Sequence, residues 1–300
     1  MRFSREEVEA AWAAIRKGGR GAGVDGVSLP DFRAHVDHEI PDLLRELNAG
    51  RYIPQPYRLV WVPKENGGVR PISVATVRDR LAQRVLLDRI QPIVERISLP
   101  SSFAYRPGIG VRQAVQAVCN ARVSGFTEVL EADIANCFDN IDLNLVERLL
   151  ADLGVETALL DLILQCLAAP GKAAGVRGDT LGLPQGAVLS PTICNLVLTG
   201  LDRALARRHR RLVRYADDFV VLCRSARACA SAEKEVRNAL SDLGLELNPR
   251  KTGMADFGQG FQFLGTRFVG TFTIVEKAAP YQGRRDRRKR PRPRKLDFIF

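Results

Sequence analysis

The stretch RLVRYADDFVVLC, residues 211–223, sets two adjacent aspartates between two runs that otherwise favour burial. Leu212, Val213 and Tyr215 precede the pair, and Phe219, Val220, Val221 and Leu222 follow it, so the flanks have the β-branched, aromatic and aliphatic composition of two short strands. Ala216, Asp217 and Asp218 then fall at the turn of a hairpin. Aspartate is an ordinary turn residue, because its side chain caps tight turns. It is also a hard oxygen ligand, and two carboxylates on a rigid hairpin tip suit a divalent cation such as magnesium. That second reading needs a third carboxylate and a place for phosphate.

A chain of 300 residues that is 46% hydrophobic can bury a substantial core, as one large domain or two subdomains. The formal net charge of +11 points to an anionic partner, either nucleic acid or an acidic membrane surface. The charge is uneven: residues 280–300 carry nine Lys/Arg against two Asp, a net of +7, which leaves +4 for residues 1–279. The run GRRDRRKRPRPRK within that tail has the composition of a segment that stays disordered until bound, and it reads equally as a solvated tail or a phosphate-binding arm. The six cysteines (119, 137, 166, 194, 223 and 229) are scattered without a CxxC pair, which implies free thiols in a reducing cytoplasm. No apolar run reaches the length of a membrane span, and the start MRFSREEVEAAW is charged where a signal peptide is apolar, so a cytoplasmic protein with no membrane partner is expected. His35 and His38 have acidic neighbours and no further His or Cys nearby, which places them on the surface rather than at a metal.

Along the chain, residues 30–48 read as a helix broken near Pro41, preceded by the glycine-rich loop RKGGRGAGVDGVS. YRLVWVPKENGGVRPISV reads as two strands joined at Asn66-Gly67-Gly68, with Lys64 and Arg70 flanking the turn. Leu81, Val85, Leu86, Ile90, Ile93, Val94 and Ile97 keep helical spacing with Arg80, Arg84 and Arg89 between them, a basic amphipathic helix. Further helices are expected over 111–122, 192–207 and 225–243. LELNPRKTGM reads as a strand and turn, and FQFLGTRFVGTFTIVE as a closing pair of strands. Strands and helices mix without regular βαβ repetition, the pattern of an α+β domain.

The third carboxylate is Asp133, at the end of the strand predicted in EVLEADIANCFDNID. Three aspartates on neighbouring strand ends can hold two metal ions, which activate a 3′-hydroxyl and support the leaving pyrophosphate. Asp139 and Asp142 instead fit an acidic helix start. Taken as an ordered set, PKENGGVRP, ADIANCF, LPQGAVLSP, YADD, LNPRKT and FQFLG resemble the motifs of reverse transcriptases of the bacterial group II intron-related branch. The resemblance runs from about Gly23 to about Phe268. In wording, SSFAYRPGIGVRQAVQAV and ADIANCFDNID are most similar to the CRISPR-associated members.

The resemblance implies an α+β right-hand polymerase with fingers and palm and a short or absent thumb: an N-terminal extension over 1–50, fingers over 51–125, palm over 126–276 and a basic tail over 277–300. It implies that Asp133, Asp217 and Asp218 bind two Mg2+ ions, with Mn2+ as a substitute. Lys64 and Arg70 hold the incoming triphosphate, Gln185, Gly186 and Tyr215 shape the nucleotide pocket, and Phe138 lies under the sugar. Lys251 is the candidate that protonates pyrophosphate. The implied partners are an RNA template, a DNA or RNA primer, dNTPs and, in the CRISPR setting, a spacer integrase. A truncated intron-encoded enzyme, an antiphage-defence enzyme and a non-catalytic RNA-binding scaffold on the same fold are the alternatives.

Overall fold

Short polar caps start the helices. Ser4 and Glu7 form a reciprocal capping box, as do Ser28 and Asp31, and the Thr76 hydroxyl accepts from the Asp79 N–H at 3.0 Å. The computed structural model describes residues 2–18, 21–63, 67–173, 176–178 and 182–275, so Lys64, Asn66 and the basic tail lie outside the described residues. In chain order the elements are α1 (Arg5–Ile15), α2 (Leu29–Ala34), α3 (Val36–Asn48), β1 (Tyr57–Pro63), β2 (Val69–Val74), α4 (Val77–Ile97) and α5 (Val111–Val123). There follow β3 (Glu128–Asp133), α6 (Cys137–Asn140), α7 (Leu143–Asp152), α8 (Thr157–Leu167), β4 (Gly171–Ala173), β5 (Val176–Gly178) and α9 (Ser190–Arg207). The last are β6 (Arg211–Tyr215), β7 (Asp218–Cys223), α10 (Ala226–Ser241), β8 (Gly253–Asp256), β9 (Phe261–Phe263), β10 (Thr266–Val269) and β11 (Phe272–Val275).

The 21-residue α4 is the central strut, with α1, α3, α8 and α9 packed on it around one continuous core. The sequence reading places α4 by its spacing and passes over α1, where Val8, Ala11, Trp12 and Ile15 keep helical spacing behind the Ser4 cap; Val8, Ala11 and Trp12 bury it, and Trp12 meets Phe32 with ring centroids 5.3 Å apart. The expected break at Pro41 falls instead at His35, where φ is −117° and ψ 10°, and α3 runs through the proline. Burial of Ile40, Leu43 and Leu47 on one face outweighs the single hydrogen bond Pro41 cannot donate.

An antiparallel sheet in the order β6-β7-β3-β8 carries the site, and the β1–β2 hairpin belongs to a separate sheet, β2-β1-β4-β5. Because side chains alternate, the two faces of the first sheet bury different sets. Leu130, Ala132, Leu212, Phe219 and Val221 join the main core, whereas Val129, Val213, Val220 and Leu222 pack with Ala114 and Val118 of α5 and with Phe257, Phe261 and Phe268. Phe261 and Phe268 stack at 4.9 Å in a third sheet, β11-β10-β9, so the expected closing pair of strands is three. The strand expected in LELNPRKTGM shrinks to one bridge, Leu247 to Ile134, and β8 starts only at Gly253. Between them Asn248 closes a turn: its side-chain oxygen accepts from the Arg250 N–H at 3.1 Å, and its carbonyl accepts from the Lys251 N–H at 3.1 Å.

Candidate active site

The hairpin in YADD is tighter than its sequence implies. Tyr215 pairs directly with Asp218, so Asp218 is the first residue of β7 and only Ala216 and Asp217 form the turn. Both aspartates are half-buried rather than exposed. Asp218 also lies directly opposite Asp133 on β3. Directly opposed residues of an antiparallel pair project from one face with Cβ atoms about 5 Å apart, so these two carboxylates share a face and Asp217 adjoins them from the turn.

The electrostatics record this crowding. Burial, then the charges of Asp133 and Asp217, push the Asp218 carboxyl up to about 7, against the pull of Lys251. Burial also raises Asp217, with Asp133 adding to the rise and its own backbone N–H, Lys251 and Arg70 opposing it. Asp133 is held by two partners: Lys251 Nζ stands 3.1 Å from Oδ1, and Asn248 Nδ2 donates to Oδ2 at 3.1 Å. Beside them is a cavity of about 200 Å³ lined by Glu131, Asp133, Asp218, Val220, Lys251 and Phe263 with two neighbours. Glu131 is a carboxylate the sequence reading passed over; it precedes Asp133 by two residues on the same strand face, and burial raises its pKa.

Among the described residues no three His, Cys, Asp or Glu side chains converge on one metal position. The donor set nevertheless suits a hard divalent cation: the Asp217 and Asp218 carboxyls are destabilised as anions by burial and by Asp133, and a cation beside them relieves that cost. Lys251 partly fills this role on Asp133.

The other expected residues gather around this point to different degrees. The charge of Arg70, on β2, reaches Asp217. Phe138, half-buried in α6, packs against the main core, and its carbonyl accepts from the Leu183 N–H at 2.7 Å. Gln185 is tied elsewhere: its side chain donates to Asp139 Oδ1 at 2.9 Å and its carbonyl accepts from the Ser73 N–H at 2.7 Å, joining the LPQG loop to β2. Gly186, at φ +105°, lies so close to β2 that a Cβ would come 2.9 Å from the Ser73 oxygen. Asp142 caps α7 through the Asn144 N–H at 2.9 Å, the helix-start role expected of it. Lys64 is outside the described residues.

A buried cluster around Arg214 also escaped the sequence reading. Arg214 is fully buried beneath the turn, donating to both oxygens of Asp202 at 2.7 and 2.6 Å, to Asn195 Oδ1 at 3.0 Å, to Ser102 Oγ at 2.9 Å and to the Ala216 carbonyl at 3.1 Å. Burial alone would push its guanidinium down, and the Asp202 carboxylate reverses that, so the guanidinium stays charged. Asn195 in turn donates to the Ala104 carbonyl at 2.7 Å, next to Tyr105. Ala216, Tyr105 and Asn136 all have left-handed φ, at 58°, 57° and 44°, and all flank the aspartates in sequence or in electrostatic reach. Each such residue costs roughly 1–3 kcal/mol and persists only where its surroundings hold it. The Arg214 cluster holds two of the three.

A half-buried acidic hairpin at the end of an antiparallel sheet that helices cover on both faces places this molecule among the right-hand polymerases. The chain belongs to the reverse transcriptase family: the model described as reverse transcriptase (RNA-dependent DNA polymerase) matches residues 62–268. It is 30% identical to Protein YkfC of Escherichia coli (strain K12) over 84% of this chain and 77% of that one. It is 28% identical to the group II intron-encoded protein LtrA of Lactococcus lactis subsp. cremoris over 61% of this chain but only 31% of LtrA, so it spans under a third of that relative's length. In fold it is similar to apo telomerase of Candida tropicalis truncated from its C-terminal domain, with TM-score 0.54 and 14% identity over 74% of this chain and 55% of that one. Among the described residues no helix is long and apolar enough to cross a membrane.

Proposed function

We propose that this chain copies RNA into DNA by nucleotidyl transfer at Asp133, Asp217 and Asp218. The observation that carries the reading is the direct opposition of Asp133 and Asp218, with Asp217 on the adjoining turn and the Asp217 and Asp218 carboxyls raised by burial and by their neighbours. Reverse transcriptases use divalent metal ions, and in this reading the three aspartates hold two Mg2+ ions, with Mn2+ as a substitute. When bound, such ions activate the primer 3′-hydroxyl and neutralise charge on the leaving pyrophosphate. Arg70, with Lys64, binds the incoming triphosphate, since a guanidinium matches phosphate oxygens in a bidentate fork. Lys251 delivers a proton to pyrophosphate from its place beside Asp133. Phe138 gates the sugar, and Gln185, Gly186 and Tyr215 line the nucleotide pocket.

The same reading assigns 51–125 to the fingers, 126–276 to the palm, and 1–50 and 277–300 to flanking segments, with RNA template, primer and dNTPs as partners. The unpaired cysteines, five of them buried, fit a reducing cytoplasm. Among biological settings, similarity in the wording of SSFAYRPGIG and ADIANCFDNID favours RNA capture with a CRISPR spacer integrase, and the neighbouring genes test that choice.

Replacing Asp217 or Asp218 by Asn is expected to lower Mg2+-dependent primer extension on an RNA template at least about 1000-fold, ~4 kcal/mol of transition-state stabilisation. RNA affinity stays near wild type, because it comes from distributed phosphate contacts. Extension by either variant near the wild-type rate would overturn the assignment. A wild-type protein that binds RNA without extending any primer would make the chain a scaffold.

A further inference from the structure

At the end of the β6-β7-β3-β8 sheet opposite the aspartates, three arginines lie on aromatic rings instead of carboxylates. The Arg211 and Arg224 guanidinium carbons stand 5.4 and 4.5 Å from the centroid of the one Phe126 ring, and that of Arg122 stands 5.3 Å from the Phe257 ring. Elsewhere arginines such as Arg78, Arg106, Arg210 and Arg237 pair with carboxylates; among the described residues these three have no ion pair. A ring face steadies a cation while consuming none of its N–H donors. Gly125 makes room for this arrangement: its φ is +83°, and a Cβ there would come 3.0 Å from a guanidinium nitrogen of Arg224. Beside Arg211 opens a cavity of about 350 Å³ whose wall includes Asn120 and Ser124. Arg207 and Arg208 are exposed at the end of α9; the acidic residues of this edge are Glu128, opposite Cys223, Asp256, opposite Glu128 on β8, and Glu235, which is paired with Arg210.

We propose that this edge is a second nucleic-acid contact, which grips the sugar–phosphate backbone of a strand outside the polymerase cleft. The cations are all arginine, whose planar fork matches phosphate oxygens and whose donors here are held in place and unspent. The choice of a nucleic acid among polyanions rests on the polymerase reading. Along strands that rise about 3.3 Å per residue, the edge lies roughly 15–20 Å from the turn at Asp217. That exceeds the ~8 Å screening length at physiological salt, so neutralising the edge leaves the field at the aspartates unchanged.

The test is the triple variant Arg122→Gln/Arg211→Gln/Arg224→Gln in the full chain, with Arg211→Gln and Arg224→Gln singly in case the triple fails to fold. Binding is measured by anisotropy between about 50 and 200 mM salt for an RNA hairpin, a DNA duplex of the same sequence and poly-glutamate. The slope of log affinity against log salt is expected to fall by about 2 to 3 in the triple variant and by about 1 in each single. The kcat for extension of a saturating short primer-template stays within about two-fold of wild type, equivalent to ~0.4 kcal/mol. An equal loss on RNA and DNA supports backbone contact, and a loss on RNA alone supports a strand read through its 2′-hydroxyls. An unchanged slope in folded variants overturns the proposal, as does a loss confined to poly-glutamate or a kcat that falls in parallel. A wild type that extends no primer while the slope still drops would refute the polymerase reading and leave this one standing.

Discussion

Phe138, in its proposed role, excludes a ligand by bulk, whereas Arg214 holds the turn before Asp217 by hydrogen bonds. In the proposed role the Phe138 ring leaves no room for a 2′-hydroxyl, so discrimination against ribonucleotides is a steric penalty. Phe138→Val is expected to improve the ribo-to-deoxy ratio of kcat/KM on one template about 10- to 200-fold, the range for a clash of about 1–3 kcal/mol, with deoxynucleotide incorporation falling less. A folded, active variant with the wild-type ratio would show that Phe138 is not the gate. Arg214 positions the turn that carries Asp217 by donating to the Ala216 carbonyl. Removing one partner of a buried pair strands the other charge, so Asp202→Ala should cost about 3–5 kcal/mol in a urea melt. The paired replacement Arg214→Met/Asp202→Leu should recover most of that stability, because an apolar pair leaves no unmatched charge. Extension should remain impaired in the stable double variant, since no donor then reaches Ala216; recovery of both properties would reduce Arg214 to a packing role.

At the scale of elements, the joint between β2 and the LPQG loop fixes the β1–β2 hairpin against the loop that precedes α9. It consists of the Ser73 N–H donated to the Gln185 carbonyl and the close approach of Gly186 to the Ser73 oxygen and to the Ile72 side chain. Gly186→Ala combines a disfavoured backbone region with a contact to backbone that cannot yield cheaply. We expect a loss of roughly 1–3 kcal/mol in stability and a KM for dNTP raised about 10-fold or more with a smaller change in kcat. Steady-state kinetics with one dNTP varied checks this, and an unchanged KM would detach the joint from nucleotide binding. Gln83 reinforces the same region, accepting from the Val188 N–H at 2.9 Å and donating to the Tyr57 hydroxyl at 3.0 Å, which itself donates to the Cys166 carbonyl at 2.8 Å. This chain of buried polar groups ties β1, α4, α8 and the LPQG loop together.

For the molecule as a whole, charge and shape divide the work. The described portion pairs many of its arginines internally, while the run 284–295 concentrates nine cationic side chains against one aspartate. Deleting 283–300 should therefore weaken nucleic-acid binding and lower the salt slope by several, in proportion to the phosphates those cations neutralise. Thermal stability should stay near wild type. An unchanged slope, measured on the same RNA hairpin, would make the tail a bystander or a protein-binding segment.

Much of this was legible from residues 211–223 and their counterparts, because strands announce themselves by composition and motifs by order. The sequence by itself determined the α+β class, the strand end that carries Asp133, the acidic hairpin that carries Asp217 and Asp218, the long amphipathic α4 and the charge of the tail. It could not show that Asp218 opens a strand rather than a turn, for register is a relation between strands and Tyr215 finds Asp218 only once β6 and β7 pair. Nor could it show that Pro41 is tolerated, since the burial that offsets it comes from the core α3 joins. Arg214 reads locally as one more cation in a basic stretch. Only the tertiary structure brings Asp202, Asn195 and Ser102 to it from α9 and a distant loop, and a buried charge keeps its proton and its place through such partners alone.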